Sequence, residues 1–260
     1  MLLSWLRRRR RQRILSVPFP VALLPYLQRN VAQYRFLSEA EQQKLRDDLR
    51  VFIADRYWEG CNGLVLTDEM KVTVAAQACL LILGLEPALY NRLKTILIYP
   101  RGYAGPEQRP LGGPAILESQ SARLGEAHYR GPVILSWEDV LEEGRSPRWG
   151  KNLVFHEFAH QLDMLDGAAN GTPPLASAEE ARRWKNVMTS EFRQLVEASE
   201  RGKATLLDQY GAENEAEFFA VATECFFDRP VQLSRRHPQL YALLRDYYRQ
   251  DPAKRVNATS

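Results

Sequence analysis

The stretch FHEFAHQLD, residues 155–163, contains two of the four histidines in this 260-residue chain. It lies in a mainly apolar run, residues 152–165, which we predict to be a helix that ends at the turn-forming segment DGAANGTPP. Residues four apart lie on the same face of a helix, one turn above each other. His156 and His160 can therefore direct one ring nitrogen each towards a single point, with Glu157 beside the first histidine. This spacing is the H-E-x-x-H pattern.

The pattern has a direct chemical interpretation. Zinc binds imidazole nitrogen at about 2.0–2.1 Å, and a catalytic zinc site combines three protein ligands with a water molecule. Glu157 would lie beside the open position, where its carboxylate can accept a proton from water and return it to a leaving amine. The alternative is a chance match in an amphipathic helix, but two unpaired histidines in an apolar setting are energetically costly. We therefore predict a zinc metallopeptidase.

The motif alone does not identify the third metal ligand. The two other histidines, His128 and His237, do not follow at the spacing that metzincins use, so a carboxylate is the better candidate. The helix predicted over residues 215–227, EAEFFAVATECFF, offers three glutamates: Glu215, Glu217 and Glu224.

Several carboxyl groups have alternative roles. Asn214 and Glu217 have the spacing of a capping box, in which case Glu217 only caps its helix and Glu224 is the ligand. Otherwise Glu224 either pairs with the second ring nitrogen of a ligand histidine or is exposed. Asp163, three residues after His160, could pair with a histidine in the same way, cap its helix or face solvent.

At this point the chain resembles the Mlc titration factor A family of bacterial zinc peptidases, which is similar in turn to the catalytic domain of anthrax lethal factor. The resemblance rests on HEFAHQLD, DQYGAENEAEFFAVATECFF, GPVILSW and YYRQDP, and spans roughly residues 93–252. In that family the third ligand is a glutamate seven residues after a tyrosine, which here are Glu217 and Tyr210. The resemblance therefore implies one zinc ion held by His156, His160 and Glu217. Tyr210 would lie beside it, where a neutral phenol can stabilise an oxyanion.

The resemblance also implies what the protein does. Family members are similar to aminopeptidases that act on short peptides, so we expect an aminopeptidase with peptide substrates and catalytic residues Glu157 and Tyr210. No feature of the chain by itself binds a free α-amine.

The family name implies a different second function, the sequestration of a transcriptional repressor that controls sugar uptake. A structural zinc site is disfavoured because only three protein ligands are found.

Helices dominate the predicted elements, so we assign the α+β class: a mainly helical, zincin-type metallopeptidase domain, lethal-factor-like, with a small mixed sheet. The strands are predicted at residues 93–99 and 131–137. S-x-x-E spacing places the starts of two helices after Ser38 and Ser177. Further helices are predicted over residues 68–83 and 238–249.

The charge of the chain is unevenly placed. The net charge is +3, but six arginines between residues 7 and 13 leave −3 for the remainder, so we expect no direct nucleic-acid partner. We divide the chain into a basic N-terminal tail, 1–20, and a zinc metallopeptidase domain, 21–260. The tail is expected to be disordered and solvated, or to contact an anionic lipid or nucleic acid weakly.

The cellular location is inferred from two features. The apolar residues at the N-terminus precede the positive ones, which is the reverse of a secretory signal, so we predict no export. The three cysteines are far apart in the sequence and form no C-x-x-C pair. Such cysteine usage is typical of the reducing cytoplasm, which is the predicted location.

Overall fold

The computed structural model describes residues 2–101, 131–147 and 150–259. In these ranges the helices are α1 (Leu2–Leu15), α2 (Leu24–Asn30), α3 (Glu39–Ala54), α4 (Asp68–Leu81), α5 (Trp137–Arg145), α6 (Leu153–Asp163), α7 (Ala178–Glu200), α8 (Glu215–Asp228), α9 (Pro230–Arg236), α10 (Pro238–Tyr248) and α11 (Pro252–Thr259). The strands are β1 (Tyr57–Gly60), β2 (Thr95–Tyr99) and β3 (Val133–Ser136). The prediction of a mainly helical α+β fold is confirmed.

Several helices of the core and the site start at an N-cap residue whose side chain accepts a backbone hydrogen bond. Ser38 and Glu41 form the predicted capping box at the start of α3. Asn152 begins α6 by accepting a hydrogen bond from the backbone N–H of Phe155 at 3.0 Å. Asn214 begins α8 in the same way. Each cap satisfies a backbone donor that has no partner inside the helix, so these helices begin at the predicted positions.

The sheet is small and differs from the prediction. Its strand order is β1-β2-β3, and both described pairs are parallel, with Ile96 opposite Val133 and Ile98 opposite Leu135. The prediction of a mixed sheet is therefore wrong for the strands that the structure describes. The physical reason is the connection: α4 carries the chain back between β1 and β2, and such a crossover joins parallel strands.

Two central helices, α4 and α8, are the most deeply buried elements of the hydrophobic core. Every residue of α8 from 216 to 227 is buried, and α4 is buried over nearly its whole length. A helix that is apolar on all sides has to be surrounded by other elements. The helix α6 packs against both α4 and α8, with Phe155 against Phe227 at a ring-centroid distance of 5.3 Å. Along the described ranges, no helix is both long and apolar enough to cross a membrane.

The arginine-rich segment is ordered as a helix. α1 packs on α3, where Arg11 Nη2 lies 2.8 Å from Asp48 Oδ1 and Arg10 Nη1 lies 3.2 Å from Asp55 Oδ1. Asp48 is buried and also binds Lys44 Nζ at 2.6 Å. The prediction of a disordered tail is therefore wrong for residues 2–15. Ion pairs with acidic residues that are far away in the sequence attach this segment to the rest of the protein.

Candidate metal centre

Two helices bring the three predicted ligand side chains together. The histidine ring nitrogens of α6 face the first turn of α8, which carries Glu217. His156 Nε2 lies 3.0 Å from Glu217 Oε2, and His160 Nε2 lies 3.4 Å from Glu217 Oε1. The two Nε2 atoms are 3.2 Å apart. Asn214 caps α8 with its own side chain, while the carboxylate of Glu217 faces the histidines.

The geometry and chemistry of these three side chains fit a metal ion. Ligand atoms around a tetrahedral zinc ion lie about 3.3 Å apart, because each lies about 2.05 Å from the ion. The two ring nitrogens are 3.2 Å apart, and each lies 3.0–3.4 Å from one of the two carboxylate oxygens of Glu217, so these distances are close to this value. Glu217 Oε2 is buried and has no hydrogen bond of normal geometry in the described part of the chain. Two imidazoles and a carboxylate are a donor set that zinc accepts.

The charge of Glu217 also suits a cation. Burial by itself raises the pKa of this carboxyl group. The neighbouring rings of His156 and His160 outweigh that effect and hold the pKa of Glu217 well below its ordinary value. The side chain is therefore an anion, enclosed with two ring nitrogens in a mainly buried position.

Glu224 holds the first histidine in place. Its Oε1 lies 2.8 Å from His156 Nδ1, and its Oε2 accepts a hydrogen bond from the backbone N–H of Asn152 at 2.6 Å. A carboxylate at Nδ1 places the ring proton there and leaves Nε2 to face the centre. The alternative of an exposed Glu224 is wrong, because the residue is buried. Asn152 in turn donates to Gln77 Oε1 on α4 at 2.8 Å.

Tyr210 lies beside the histidines on a short 3-10 helix, Gln209–Ala212. Its ring centroid is 6.0 Å from that of His156. Its hydroxyl group is buried and has no hydrogen-bond partner among the described residues. A buried phenol without a partner is free to bind a group that enters the site.

An ion pair between Lys151 and Asp208, which was not predicted from the sequence, connects this segment to the start of α6. Asp208 accepts a hydrogen bond from the backbone N–H of Tyr210 at 2.9 Å. Its other carboxylate oxygen lies 2.6 Å from Nζ of Lys151, the residue immediately before the cap of α6. Lys151 and Asp208 are far apart in the sequence, and no local pattern marks the pair. The contact therefore links the segment that carries Tyr210 to the start of the histidine helix.

The other candidate residues lie in different environments. Glu157 is half-buried on α6, next to His156. Glu215 is exposed. His237 lies outside the cluster, with its Nδ1 2.7 Å from Glu191 Oε2. His128 lies outside the described residues.

Asp163 supports the loop that follows α6. It is fully buried, and its Oδ2 accepts a hydrogen bond from the backbone N–H of Gly171 at 2.8 Å. Burial raises the pKa of its carboxyl group to about 6. The alternative of a solvent-facing Asp163 is therefore wrong. The hydrogen bond of Asp163 is made to the backbone of the loop rather than to a histidine ring.

Comparisons with known proteins identify the family of this chain. A family model described as glucose-regulated metallo-peptidase M90 matches residues 5–249. The chain is 40% identical over 249 residues to the uncharacterized protein slr2042 of Synechocystis sp., which covers 95% of this chain and 90% of that relative. It is 32% identical over 225 residues to Mlc titration factor A of Yersinia pestis, which covers 85% of this chain and 82% of the relative. The predicted resemblance to the Mlc titration factor A family is thus confirmed, and the chain belongs to the M90 family of metallopeptidases.

Proposed function

We propose that this protein is a zinc-dependent peptidase that holds Zn²⁺ with His156, His160 and Glu217. The observation that supports the proposal most strongly is the convergence of these three side chains from α6 and α8, with all ligand atoms within 4.8 Å of one another. Membership of a metallopeptidase family supports the same reaction. A bound zinc ion supplies Lewis acidity that polarises a peptide carbonyl and lowers the pKa of a water molecule.

In this proposal the protein side chains move the protons and stabilise developing charge. Glu157 is the general base: it accepts a proton from the attacking water and then donates it to the leaving amine. Tyr210 donates a hydrogen bond from its buried hydroxyl group to the oxyanion that forms at the carbonyl. Glu224 keeps the ring of His156 in one orientation and one tautomer.

The finer assignments rest on the family resemblance. We propose aminopeptidase action on short peptides, in a gluzincin-type domain similar to the catalytic domain of anthrax lethal factor. We also propose a cytoplasmic location. It is supported by the three cysteines, all of which are free, because thiols persist in a reducing compartment.

A second proposed function is the binding of a transcriptional repressor. It is supported by the name of the Yersinia pestis relative, Mlc titration factor A, and by the description of the family as glucose-regulated. Binding of a repressor requires a protein surface that fits it, and does not require hydrolysis of a peptide bond. The two functions are therefore compatible and can be tested separately.

The substitution Glu157→Gln tests the peptidase assignment. We expect hydrolysis of amino-acid anilides to fall by roughly 10²–10⁴-fold, because the general base is lost. Bound zinc, measured by elemental analysis, should stay at the wild-type level. Glu215→Gln is the matched control: it removes the same charge from an exposed position and should leave hydrolysis unchanged.

Two results would overturn the proposal. Hydrolysis by Glu157→Gln at the wild-type rate would exclude Glu157 as the base. Hydrolysis that persists after a chelator has removed all metal would exclude a metal-dependent reaction.

Binding of a candidate repressor should survive in Glu157→Gln, which separates the regulatory function from the catalytic one.

A further inference from the structure

The N-terminal helix α1 presents two different faces. One face is exposed and consists of residues spaced three or four apart: Trp5, Arg8, Arg9, Gln12 and Arg13. The opposite face is partly buried and includes Arg11, Ile14 and Leu15. Since α1 packs on α3 through its inner face, the basic outer face points away from the protein.

The arginines of the two faces differ in their partners. Arg10 forms an ion pair with Asp55, at the end of α3, and Arg11 forms one with the buried Asp48. In the part of the chain that the structure describes, Arg8 and Arg13 have no acidic partner. The guanidinium group of Arg9 stacks over Trp5, 4.2 Å from the ring centroid. The sequence of α1 contains no acidic residue. The outer face of α1 is therefore positively charged, and no acidic side chain of the helix offsets this charge.

Exposed apolar side chains lie close in sequence to these charges. Of the large hydrophobic residues exposed in the described ranges, three lie within the first 21 residues: Trp5 is 49% exposed, Val17 is 61% exposed and Val21 is 76% exposed. Exposed apolar side chains beside a basic helix face are typical of segments that lie at a membrane surface. A nucleic-acid surface would use the arginines but would leave Val17 and Val21 in water.

We propose that α1 and the segment after it bind the surface of an anionic lipid bilayer. Arg8, Arg9 and Arg13 would contact acidic headgroups, and Trp5 would lie at headgroup level, where aromatic rings are favoured. Because the helix is held on α3 by its inner arginines, the whole protein would be carried to the membrane surface. The attachment would be peripheral and sensitive to salt.

Sedimentation with lipid vesicles tests this proposal on the full-length protein. Wild-type protein should bind vesicles of phosphatidylcholine mixed with phosphatidylglycerol, and should not bind vesicles of phosphatidylcholine alone. The triple variant Arg8→Gln, Arg9→Gln and Arg13→Gln should lower the partition coefficient roughly 100-fold, because each basic residue near an acidic surface contributes about fivefold. Trp5→Ala should also weaken binding.

A matched triple variant controls for net charge. Arg182→Gln, Lys185→Gln and Arg193→Gln remove the same charge from exposed positions on α7 and should leave vesicle binding unchanged. The thermal unfolding midpoint of each variant establishes that it is folded. An absence of wild-type binding to the mixed vesicles would overturn the proposal, as would equal losses in the two triple variants. Binding to a double-stranded oligonucleotide but not to vesicles would overturn it in favour of a nucleic-acid partner.

Discussion

Glutamine in place of Glu224 would keep the shape of the side chain but replace one carboxylate oxygen with an NH₂ group. Both oxygens of Glu224 are used as acceptors: one is 2.8 Å from His156 Nδ1, and the other binds the N–H of Asn152 at 2.6 Å. A glutamine amide has only one oxygen that accepts hydrogen bonds. One of the two buried donors would therefore face the NH₂ group and lose its partner.

The expected losses follow from these contacts. A buried donor without an acceptor costs about 1–3 kcal/mol, so the free energy of unfolding of the metal-free protein should fall by about that amount. The remaining amide oxygen is also a weaker partner for a histidine than a carboxylate. Loss of such a partner typically weakens metal binding about 10–100-fold. This range corresponds to about 1.4–2.7 kcal/mol of binding free energy.

Two measurements check this prediction for Glu224→Gln. Competition with a chromophoric chelator gives the dissociation constant for zinc, and denaturant unfolding of the metal-free protein gives its stability. Glu213→Gln is the control, since it removes the same charge from an exposed position just before α8. If Glu224→Gln binds zinc as tightly as the wild type and unfolds at the same denaturant concentration, the positioning role of Glu224 is refuted.

Three further predictions concern Tyr210, the ion pair of Lys151 with Asp208, and Glu143 of α5, whose Oε2 accepts a hydrogen bond from the backbone N–H of Leu153 at 2.6 Å. Tyr210→Phe should lower kcat roughly 100-fold with little change in KM, because only the oxyanion donor is lost; an unchanged kcat would contradict that role. Lys151→Met and Asp208→Asn should each change the free energy of unfolding by at most about 1 kcal/mol, because their ion pair is partly exposed. Both should lower kcat, and the double variant should lower it no further than either single variant; additive losses would show that the pair does not position Tyr210. Burial raises the pKa of Glu143 to about 7 from an unperturbed 4.5, so the folded protein binds this proton more tightly than the unfolded chain. The free energy of unfolding should therefore fall between pH 4.5 and 7 relative to that of Glu143→Gln, and parallel curves would contradict the assignment.

Local sequence signals were sufficient for the helices that carry the site. Asn152 and Asn214 each follow a polar or loop segment and precede an apolar run, and each caps the predicted helix. The periodicity of α6 placed His156 and His160 on one face without any tertiary information. The choice of Glu217 over the other glutamates of its helix came from the family resemblance, since helical spacing alone left Glu224 open.

Long-range contacts account for what the sequence did not predict. The strand β1 is four residues long, and its pairing with β2 joins segments separated by α4. α1 forms ion pairs with Asp48 of α3 and with Asp55, which follows α3. The role of Glu224 depends on His156, 68 positions away in the sequence. Composition and periodicity describe a residue's neighbours along the chain, so they carry no information about these partners.

The hydrogen bond between Gln77 and Asn152 links the cap of the histidine helix to α4. Gly144 on α5 lies directly against this contact: a Cβ atom there would be 2.6 Å from the carbonyl oxygen of Asn30 and 2.8 Å from Gln77 Nε2. Any larger residue would have to displace the amide that holds the cap of α6. The residue at position 144 of α5 is thus restricted to glycine by the contact that positions the histidine helix.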